Sequence, residues 1–185
     1  MKKIFIIISI CCMLSACNNK TNYQPQNYEI ENKQVESNII GTYSTKLTDK
    51  TEGRLHNINL AISILNGTKV EEGETFSFND TLGPREEENG YKEAIIFDGH
   101  GNKTMGFGGG VCQVTSTLYN AAKGAGLEIE ERHKHSREVP YVKEGDDATV
   151  SFYADEDLKF KNTKGYAITI EAEAENDKVT VRIVK

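Results

Sequence analysis

Apolar residues recur at every third or fourth position in two segments, which is the spacing of one face of an α-helix. The first predicted helix covers residues 52–66, and Gly67 follows it as a residue suited to end a helix. Its apolar face consists of Leu55, Ile58, Ile62 and Leu65. The second predicted helix covers residues 113–125, where the apolar face is built mostly from valine, leucine and alanine. A face of such small side chains predicts close packing against a sheet.

Most of the remaining chain alternates apolar with polar residues, which is typical of strands that are covered on one face only. Strands are predicted for residues 42–48, 76–78, 93–97, 127–131, 139–142, 148–153, 158–161, 166–172 and 179–183. Together with the two helices, this pattern predicts an α+β fold in a single domain, with the helices packed on a largely antiparallel sheet.

Composition divides the chain into three segments. Residues 41–185 carry the periodic pattern and have the length of one domain. Residues 17–40 are rich in Asn, Gln, Lys and Glu, and they are predicted to form a flexible tether. Residues 1–16 combine two lysines with an apolar run, which is typical of a signal peptide.

The run Leu14-Ser15-Ala16-Cys17 resembles the bacterial lipobox, in which the cysteine is acylated and becomes the mature N-terminus. The resemblance implies lipidation of Cys17, an extracytoplasmic location and attachment to the cell membrane through the lipid. Cleavage before Cys17 would also remove two lysines, so the formal charge would change from −6 to −8. An acidic chain without a basic stripe is not expected to bind nucleic acid.

Cys112 is the candidate nucleophile of the chain. If Cys17 carries lipid, Cys112 has no intramolecular disulfide partner, and a lone thiol in an oxidising compartment is unusual unless it is buried or used in chemistry. Cys112 follows a run of glycines and precedes the second predicted helix. Glycines let the backbone approach a ligand closely, and a helix N-terminus favours a thiolate. A buried, inert cysteine is the alternative interpretation.

Two histidines and two aspartates follow Cys112 along the chain and could supply a base and an orienting carboxylate. In the enzymatic hypothesis, Cys112 attacks an amide or ester carbonyl, His135 transfers the proton and Asp147 fixes the imidazole tautomer. His133 and Asp146 remain alternatives, since alternation along a strand leaves both choices open.

Several short motifs, in the same order, resemble the VanW family. They are Phe76-Ser77-Phe78-Asn79, Gly83-Pro84-Arg85, Asn89-Gly90-Tyr91, Gly108-Gly109-Gly110-Val111-Cys112-Gln113, and Arg132 with His135-Ser136. VanW-like proteins are associated with glycopeptide-resistance gene clusters and with bacterial cell-wall proteins. The resemblance implies cell-wall peptidoglycan or its precursors as a partner. A more distant similarity links Cys112, His135 and Asp147 to transglutaminase-like cysteine enzymes.

The residues expected to bind a substrate lie around the same glycine turn. Backbone N–H groups at the helix start, with the Gln113 amide as a helper, would hold an oxyanion. The predicted binding residues are Arg85, Gly109, Gly110, Gln113 and Tyr119. No cofactor is predicted.

Two non-catalytic interpretations use the same residues. A zinc site drawn from Cys112, His133, His135 and His100 lacks the ligand spacing of known zinc motifs, so no metal is predicted. In the other interpretation, the polar residues pin a loop over the glycine turn of a module that binds the cell wall. Its possible ligand contacts are Tyr91, Phe107 and Tyr119.

Overall fold

A four-stranded antiparallel sheet, the main sheet, supports the rest of the domain. The computed structural model describes residues 38–98 and 101–185. The order in the main sheet is β1 (Ile39–Lys46), β9 (Lys178–Val184), β8 (Ile168–Glu175) and β2 (Thr68–Val70). The alternation predicted for β8 and β9 is confirmed by a fully buried row of residues. This row consists of Ile168, Ile170, Val179, Val181 and Ile183.

Two helices pack against the main sheet and against each other. Helix α1 (Glu52–Leu65) contacts β8, and helix α3 (Val111–Gly124) contacts β1 and β9. The predicted close packing of the second helix is confirmed at Gly41 in β1. An added β-carbon at Gly41 would lie 2.6 Å from the β-carbon of Ala125, which follows α3 directly. Only a residue without a side chain fits at this contact.

Two smaller antiparallel sheets complete the fold. Strand β7 (Lys159–Lys161) lies between β3 (Thr75–Ser77) and β6 (Glu128–Glu131), while β4 (Glu93–Phe97) pairs with β5 (Lys103–Phe107). The short helix α2 (Phe78–Leu82) follows β3 directly. The described residues thus contain three α-helices on three antiparallel sheets, where the sequence predicts about two helices and one sheet. The α+β class is confirmed.

Two of the predicted strands are wrong. Residues 139–142 form turns, and residues 148–153 take part only in isolated bridges, such as the one between His133 and Thr149. Between these isolated bridges, backbone groups of residues 148–153 bond to side chains instead of a neighbouring strand. The Ala148 N–H, for example, donates to Ser116 Oγ at 2.9 Å. Conversely, the sequence pattern does not reveal β2, β5 or α2, which are too short or too rich in glycine to show a clear period.

Several predictions concern residues outside the ranges 38–98 and 101–185. They are the signal peptide at 1–16, lipidation at Cys17, most of the tether at 17–40, and His100 as a metal ligand. Strand β1 begins at Ile39, slightly before the predicted start of the domain at Gly41. No helix within the described ranges has the length and apolar character required to cross a bilayer.

Candidate active site

Cys112 lies in the first turn of helix α3, directly after a glycine turn. Gly108 and Gly110 have positive φ angles of 80° and 108°, which residues with a side chain rarely adopt. The turn closes through the Val111 N–H, which donates to Gly108 O at 3.1 Å. The neighbouring Cys112 N–H has no acceptor among the described residues. This N–H group is therefore available to a ligand oxygen, as is common at the start of a helix.

The glycine turn is held in place by its neighbours. Buried Asn57 donates through Nδ2 to Gly109 O at 3.1 Å and to Lys92 O at 2.9 Å. An added β-carbon at Gly109 would lie 2.8 Å from Ala94 Cβ, so a side chain does not fit there. The binding roles predicted for Gly109 and Gly110 thus rest on backbone groups whose positions are set by the fold.

A row of polar side chains on α3 holds the segment that carries Asp147. We call it the polar row; it consists of Cys112, Ser116 and Asn120, which lie four residues apart and hence on one side of the helix. Ser116 Oγ donates to Ala148 O at 3.0 Å and accepts the Ala148 N–H at 2.9 Å. Cys112 Sγ lies 3.5 Å from Thr149 Oγ1. The segment from 146 to 150 therefore runs along α3 and reaches the thiol.

Asp147 is buried, and both of its carboxylate oxygens have partners. Oδ1 accepts from Arg132 Nη2 at 3.1 Å. Oδ2 accepts the His135 backbone N–H at 2.7 Å and lies 2.9 Å from His135 Nδ1. Burial by itself would raise the pKa of Asp147, but the hydrogen bonds from His135 and the charges of His135 and Arg132 outweigh it and lower the pKa. Asp147 is thus an ionised group that fixes the position and the tautomer of the His135 ring.

The His135 ring also acts on the Cys112 thiol, whose sulfur has its hydrogen-bond contacts to Thr149 Oγ1 at 3.5 Å and to Val150 O at 3.8 Å. Burial would raise the pKa of Cys112, but the hydrogen bond and charge of His135, with smaller contributions from Thr149 and Val150, lower it to about 7. Burial would likewise lower the pKa of His135, but its interactions with Cys112 and Asp147 raise it above the usual value. A thiolate–imidazolium pair is therefore populated near neutral pH.

His133 and Asp146, the two alternatives left open by the sequence, have other partners. His133 Nε2 lies 2.9 Å from Glu131 Oε1. The Asp146 carboxylate pairs with Lys123 at 3.3 Å, and its backbone oxygen accepts from Asn120 Nδ2 at 2.7 Å. The structure therefore brings the favoured histidine and the favoured aspartate to the thiol, and neither alternative.

The zinc alternative is not assembled in the part of the chain that the structure describes. Its ligand His133 pairs with Glu131, and His100 lies outside the described residues. Among residues 38–98 and 101–185, no three side chains of His, Cys, Asp or Glu lie close enough together to share a metal ion.

Tyr141 belongs to the site, although sequence analysis does not single it out. Its hydroxyl oxygen lies 3.4 Å from His135 Nε2. Burial, and then the negative charge of Cys112, raise the pKa of Tyr141, so the phenol stays protonated and can donate a hydrogen bond. A tyrosine in an irregular segment has no spacing that would mark it in advance. The only pattern around it suggested a strand that does not form.

An open cleft of about 520 Å³ lies beside the base and its orienting acid. Its walls come from residues 134–139 and 142–145 together with Asp147. Within this wall, Arg137 places its guanidinium 4.7 Å from the centre of the Phe97 ring in β4. The cleft is a substrate-sized space next to His135.

The Gln113 side chain connects helix α3 to strand β1 and to Arg54 of helix α1. Its Nε2 donates to Thr45 Oγ1 at 3.1 Å and to Lys46 O at 3.0 Å, both in β1, while its Oε1 accepts from Arg54 Nη2 at 2.8 Å. The amide is therefore fully engaged inside the protein. The oxyanion role predicted for this side chain does not fit that hydrogen bonding, and the geometry leaves the backbone N–H of Cys112 as the donor at the helix start.

The three aromatic residues considered as ligand contacts differ in exposure. Tyr91 and Tyr119 are only 2% and 9% exposed. The guanidinium of Arg132 lies 4.9 Å from the centre of the Tyr119 ring. Tyr119, a predicted binding residue, therefore packs on the arginine that pairs with Asp147. Phe107 is 38% exposed. It shares an exposed apolar face of strands β4 and β5 with Ile95, Phe97 and Met105.

Comparison with known proteins bears on the family resemblance. A family model described as VanW like protein matches residues 53–184, which includes the glycine turn, Cys112, His135 and Asp147. The chain belongs to the VanW-like family. The resemblance inferred from the sequence motifs is therefore confirmed, and the three candidate residues lie within the matched region.

Two curated proteins are similar to this VanW-like chain. Uncharacterized protein YoaR of Bacillus subtilis (strain 168) is 42% identical over 138 residues, which are 75% of this chain and 45% of YoaR. Vancomycin B-type resistance protein VanW of Enterococcus faecalis (strain ATCC 700802 / V583) is 32% identical over 105 residues, which are 54% of this chain and 38% of that protein. The chain thus spans less than half the length of each relative. No solved structure matches the chain, so the distant similarity to transglutaminase-like enzymes stays a prediction.

Proposed function

We propose that this VanW-like domain is a cysteine-dependent hydrolase or acyl transferase that acts on peptide or ester bonds of cell-wall material. The observation that carries the proposal is the His135 ring, whose Nδ1 is held by Asp147 at 2.9 Å and whose interaction with the Cys112 thiol lowers the pKa of that thiol. These groups supply a nucleophile, a base and an orienting acid in one site. The choice of cell-wall material follows the family resemblance, including the name of the Enterococcus faecalis relative.

In the first half-reaction, the Cys112 thiolate attacks the carbonyl carbon of an amide or ester and forms a C–S bond. The carbonyl electron pair moves to the oxygen, which the Cys112 N–H is placed to stabilise. The tetrahedral intermediate then breaks its C–N or C–O bond, and the proton of the His135 imidazolium passes to the leaving amine or alcohol. A thioester on Cys112 and a neutral His135 remain.

In the second half-reaction, water or an acceptor amine loses a proton to His135 and attacks the thioester carbon. The C–S bond breaks, and the thiolate–imidazolium pair is restored. Water as the acceptor gives hydrolysis, while an amine gives acyl transfer. The Tyr141 hydroxyl, 3.4 Å from His135 Nε2, is close enough to orient the attacking group.

We also propose that the domain is anchored to the outer side of the cell membrane through lipid on Cys17. The lipobox-like run supports this location, and residues 18–37 would then link the anchor to the described domain. The wild-type protein is expected to fractionate with membranes and to begin at Cys17. The Cys17→Ala variant should stay unprocessed or be released, while Cys12→Ala, before the cleavage site, should behave as wild type. Unchanged fractionation and an unchanged N-terminus in Cys17→Ala would refute the anchor.

The alternative function is a non-catalytic module that binds peptidoglycan and is linked to a glycopeptide response. One observation favours it: the contacts around Asp147 also pin a segment of irregular chain, as expected of a purely structural cluster. In that case the thiol would be dispensable for function. The exposed apolar face that contains Phe107 would be the more natural contact surface.

The deciding experiment compares wild type with Cys112→Ser. Both purified proteins are incubated with peptidoglycan fragments, products are followed by mass spectrometry, and binding and thermal unfolding are measured in parallel. We expect wild type to form products at least about a thousandfold faster than Cys112→Ser, because the serine hydroxyl remains un-ionised at neutral pH. Similar unfolding temperatures would show that the loss is chemical. Equal product profiles, or binding by both proteins with product from neither, would instead support the binding module.

A further inference from the structure

Two arginines flank the glycine turn that precedes Cys112. On one side, the stem of Arg85 packs on Gly108, where an added β-carbon would lie 2.7 Å from Arg85 Cβ. On the other side, Arg54 of α1 packs on Gly110, where an added β-carbon would lie 3.0 Å from Arg54 Cγ. The two glycines are two positions apart, so their Cα atoms lie within about 7 Å of each other. Both arginine side chains thus pack on the same short turn, directly before Cys112.

Both arginines are half-buried, and their hydrogen bonds go to neutral acceptors. Arg85 donates to Gly83 O at 2.7 Å and to Asn79 Oδ1 at 2.6 Å. Arg54 donates to Gln113 Oε1 at 2.8 Å. Within the described ranges, neither guanidinium forms an ion pair with an acidic side chain, and Asp49 and Asp157 act on them only at longer range. A hydrogen-bonded partner of opposite charge would therefore stabilise both arginines.

A second observation indicates that the arrangement is incomplete without a ligand. The Nε of Arg54 is buried and has no hydrogen-bond partner among the described residues, although most buried donors in proteins are paired. Each guanidinium offers five N–H donors in a planar fork that suits a carboxylate.

The charge of Arg85 acts on the Cys112 thiolate. Burial lowers the pKa of Arg85, while interactions with Tyr91, Cys112 and Asp157 act in the opposite direction. Asp157 is not available as a close partner, since its carboxylate accepts from Ser77 Oγ and from the Asn79 N–H. Of the groups that interact with Arg85, the Cys112 thiolate is therefore the one at which substrate arrives.

We propose that Arg54 and Arg85 form a carboxylate-binding subsite beside Cys112, so that the substrate is a peptide with a free carboxylate close to the bond that reacts. The proposal rests on the proposed function, since it takes Cys112 as the nucleophile. It narrows the substrate class to peptides with a free carboxylate beside the reacting bond, because an arginine fork binds a carboxylate through two charge-assisted hydrogen bonds. A peptide without that carboxylate would leave both guanidinium groups without an ion-pair partner.

Two small alkylating reagents test the subsite without knowledge of the substrate. Iodoacetate and iodoacetamide both form a bond from Cys112 Sγ to a CH₂ group and release iodide, but only iodoacetate carries a carboxylate. The rates are measured near pH 8.5, above the Cys112 pKa of about 7, so that thiol ionisation does not limit either reaction. In Arg85→Gln, the iodoacetate rate is expected to fall about fivefold to tenfold, since one nearby positive charge is lost. The iodoacetamide rate should stay within about twofold.

The controls separate the subsite from the reactivity of the thiol. Arg182→Gln removes an arginine that pairs with Glu173 at 2.6 Å in the main sheet, and it should leave the ratio of the two rates unchanged. Arg85→Lys keeps the charge and should retain most of the preference for iodoacetate. Arg54→Gln should act like Arg85→Gln; if it fails to fold by circular dichroism, the Arg85 variants decide alone.

Each outcome has a distinct meaning. A rate ratio that is the same in wild type and Arg85→Gln, with fast reaction of iodoacetamide, overturns the subsite and leaves the proposed nucleophile standing. Slow reaction of wild type with both reagents contradicts the proposed nucleophile instead. An equal fall in the ratio for Arg85→Gln and Arg182→Gln would show a general charge effect, and it also overturns the subsite.

Discussion

Replacing His135 with alanine is expected to slow the reaction of Cys112 with iodoacetamide about tenfold at pH 6. In wild type, His135 lowers the pKa of the thiol to about 7 against the opposing effect of burial. Without the ring, the pKa should rise to at least its ordinary value of 9.0, so the thiolate fraction at pH 6 falls about a hundredfold. The more basic thiolate is intrinsically more nucleophilic, which recovers about a factor of ten.

The measurement is a pH–rate profile of alkylation for wild type, His135→Ala and His133→Ala. The midpoint for wild type should lie near 7, and for His135→Ala it should lie above about 8.5. His133→Ala is the matched control, because that ring pairs with Glu131 and not with the thiol. A shared midpoint for all three proteins would show that His135 does not activate Cys112. A thiol that is inert in folded wild type would favour the buried structural cysteine.

Asp147→Ala is expected to lower the free energy of unfolding by about 3–5 kcal/mol at pH 7, which is the usual cost of removing one partner of a buried ion pair. The side chains of Asp147 and Arg132 are only 12% and 15% exposed, and the carboxylate also accepts the His135 backbone N–H. Its removal leaves Arg132 without a counter-charge and releases the segment along α3. Urea unfolding measures the difference.

Asp146→Ala is the matched control for this prediction. Asp146 pairs with Lys123 at 3.3 Å, and the lysine side chain is 57% exposed, so the change should cost less than about 1 kcal/mol. The effect at Asp147 also depends on pH. Because the pKa of Asp147 is lowered in the folded protein, its contribution to stability is present above the ordinary aspartate pKa of 3.8 and is lost as pH falls through the folded pKa. Equal losses of unfolding free energy in the two variants, or an Asp147→Ala effect that persists in acid, would contradict the stabilising role of the ionised Asp147 carboxylate.

The sequence pattern predicts the parts of the fold that bury one face of a regular element. Helix α1 and strands β8 and β9 are of this kind, since each has a buried side and a solvated side with a constant period. The pattern fails between residues 132 and 157. There, half-buried Tyr141 contacts His135 and buried Ala148 contacts the polar row, so the alternation of apolar residues reflects contact with the site and not pairing in a sheet.

The sequence predicts which chemical groups form the candidate site, but it does not predict which of the two histidines faces the thiol. The order of Cys112, a histidine and an aspartate is visible in the sequence, as is the glycine turn. Which histidine faces the thiol depends on where the chain leaves its extended path. The extended path ends just after the bridge between His133 and Thr149. The alternation of side chains along a strand therefore no longer predicts that His135 and His133 face the same side. Arg54 and Tyr141 carry no local signal, because only the fold brings Arg54 to the glycine turn and Tyr141 to His135.

The polar row has a consequence for how the site responds to stress. The segment from 146 to 150 is tied to α3 by side-chain hydrogen bonds, with no continuous strand ladder to protect it. Regions held in this way open with a smaller free energy than the whole domain. Such an opening would part Asp147 and His135 from Cys112 while the main sheet stays paired. We therefore expect the reactivity of Cys112 to be lost under milder conditions than those that unfold the main sheet.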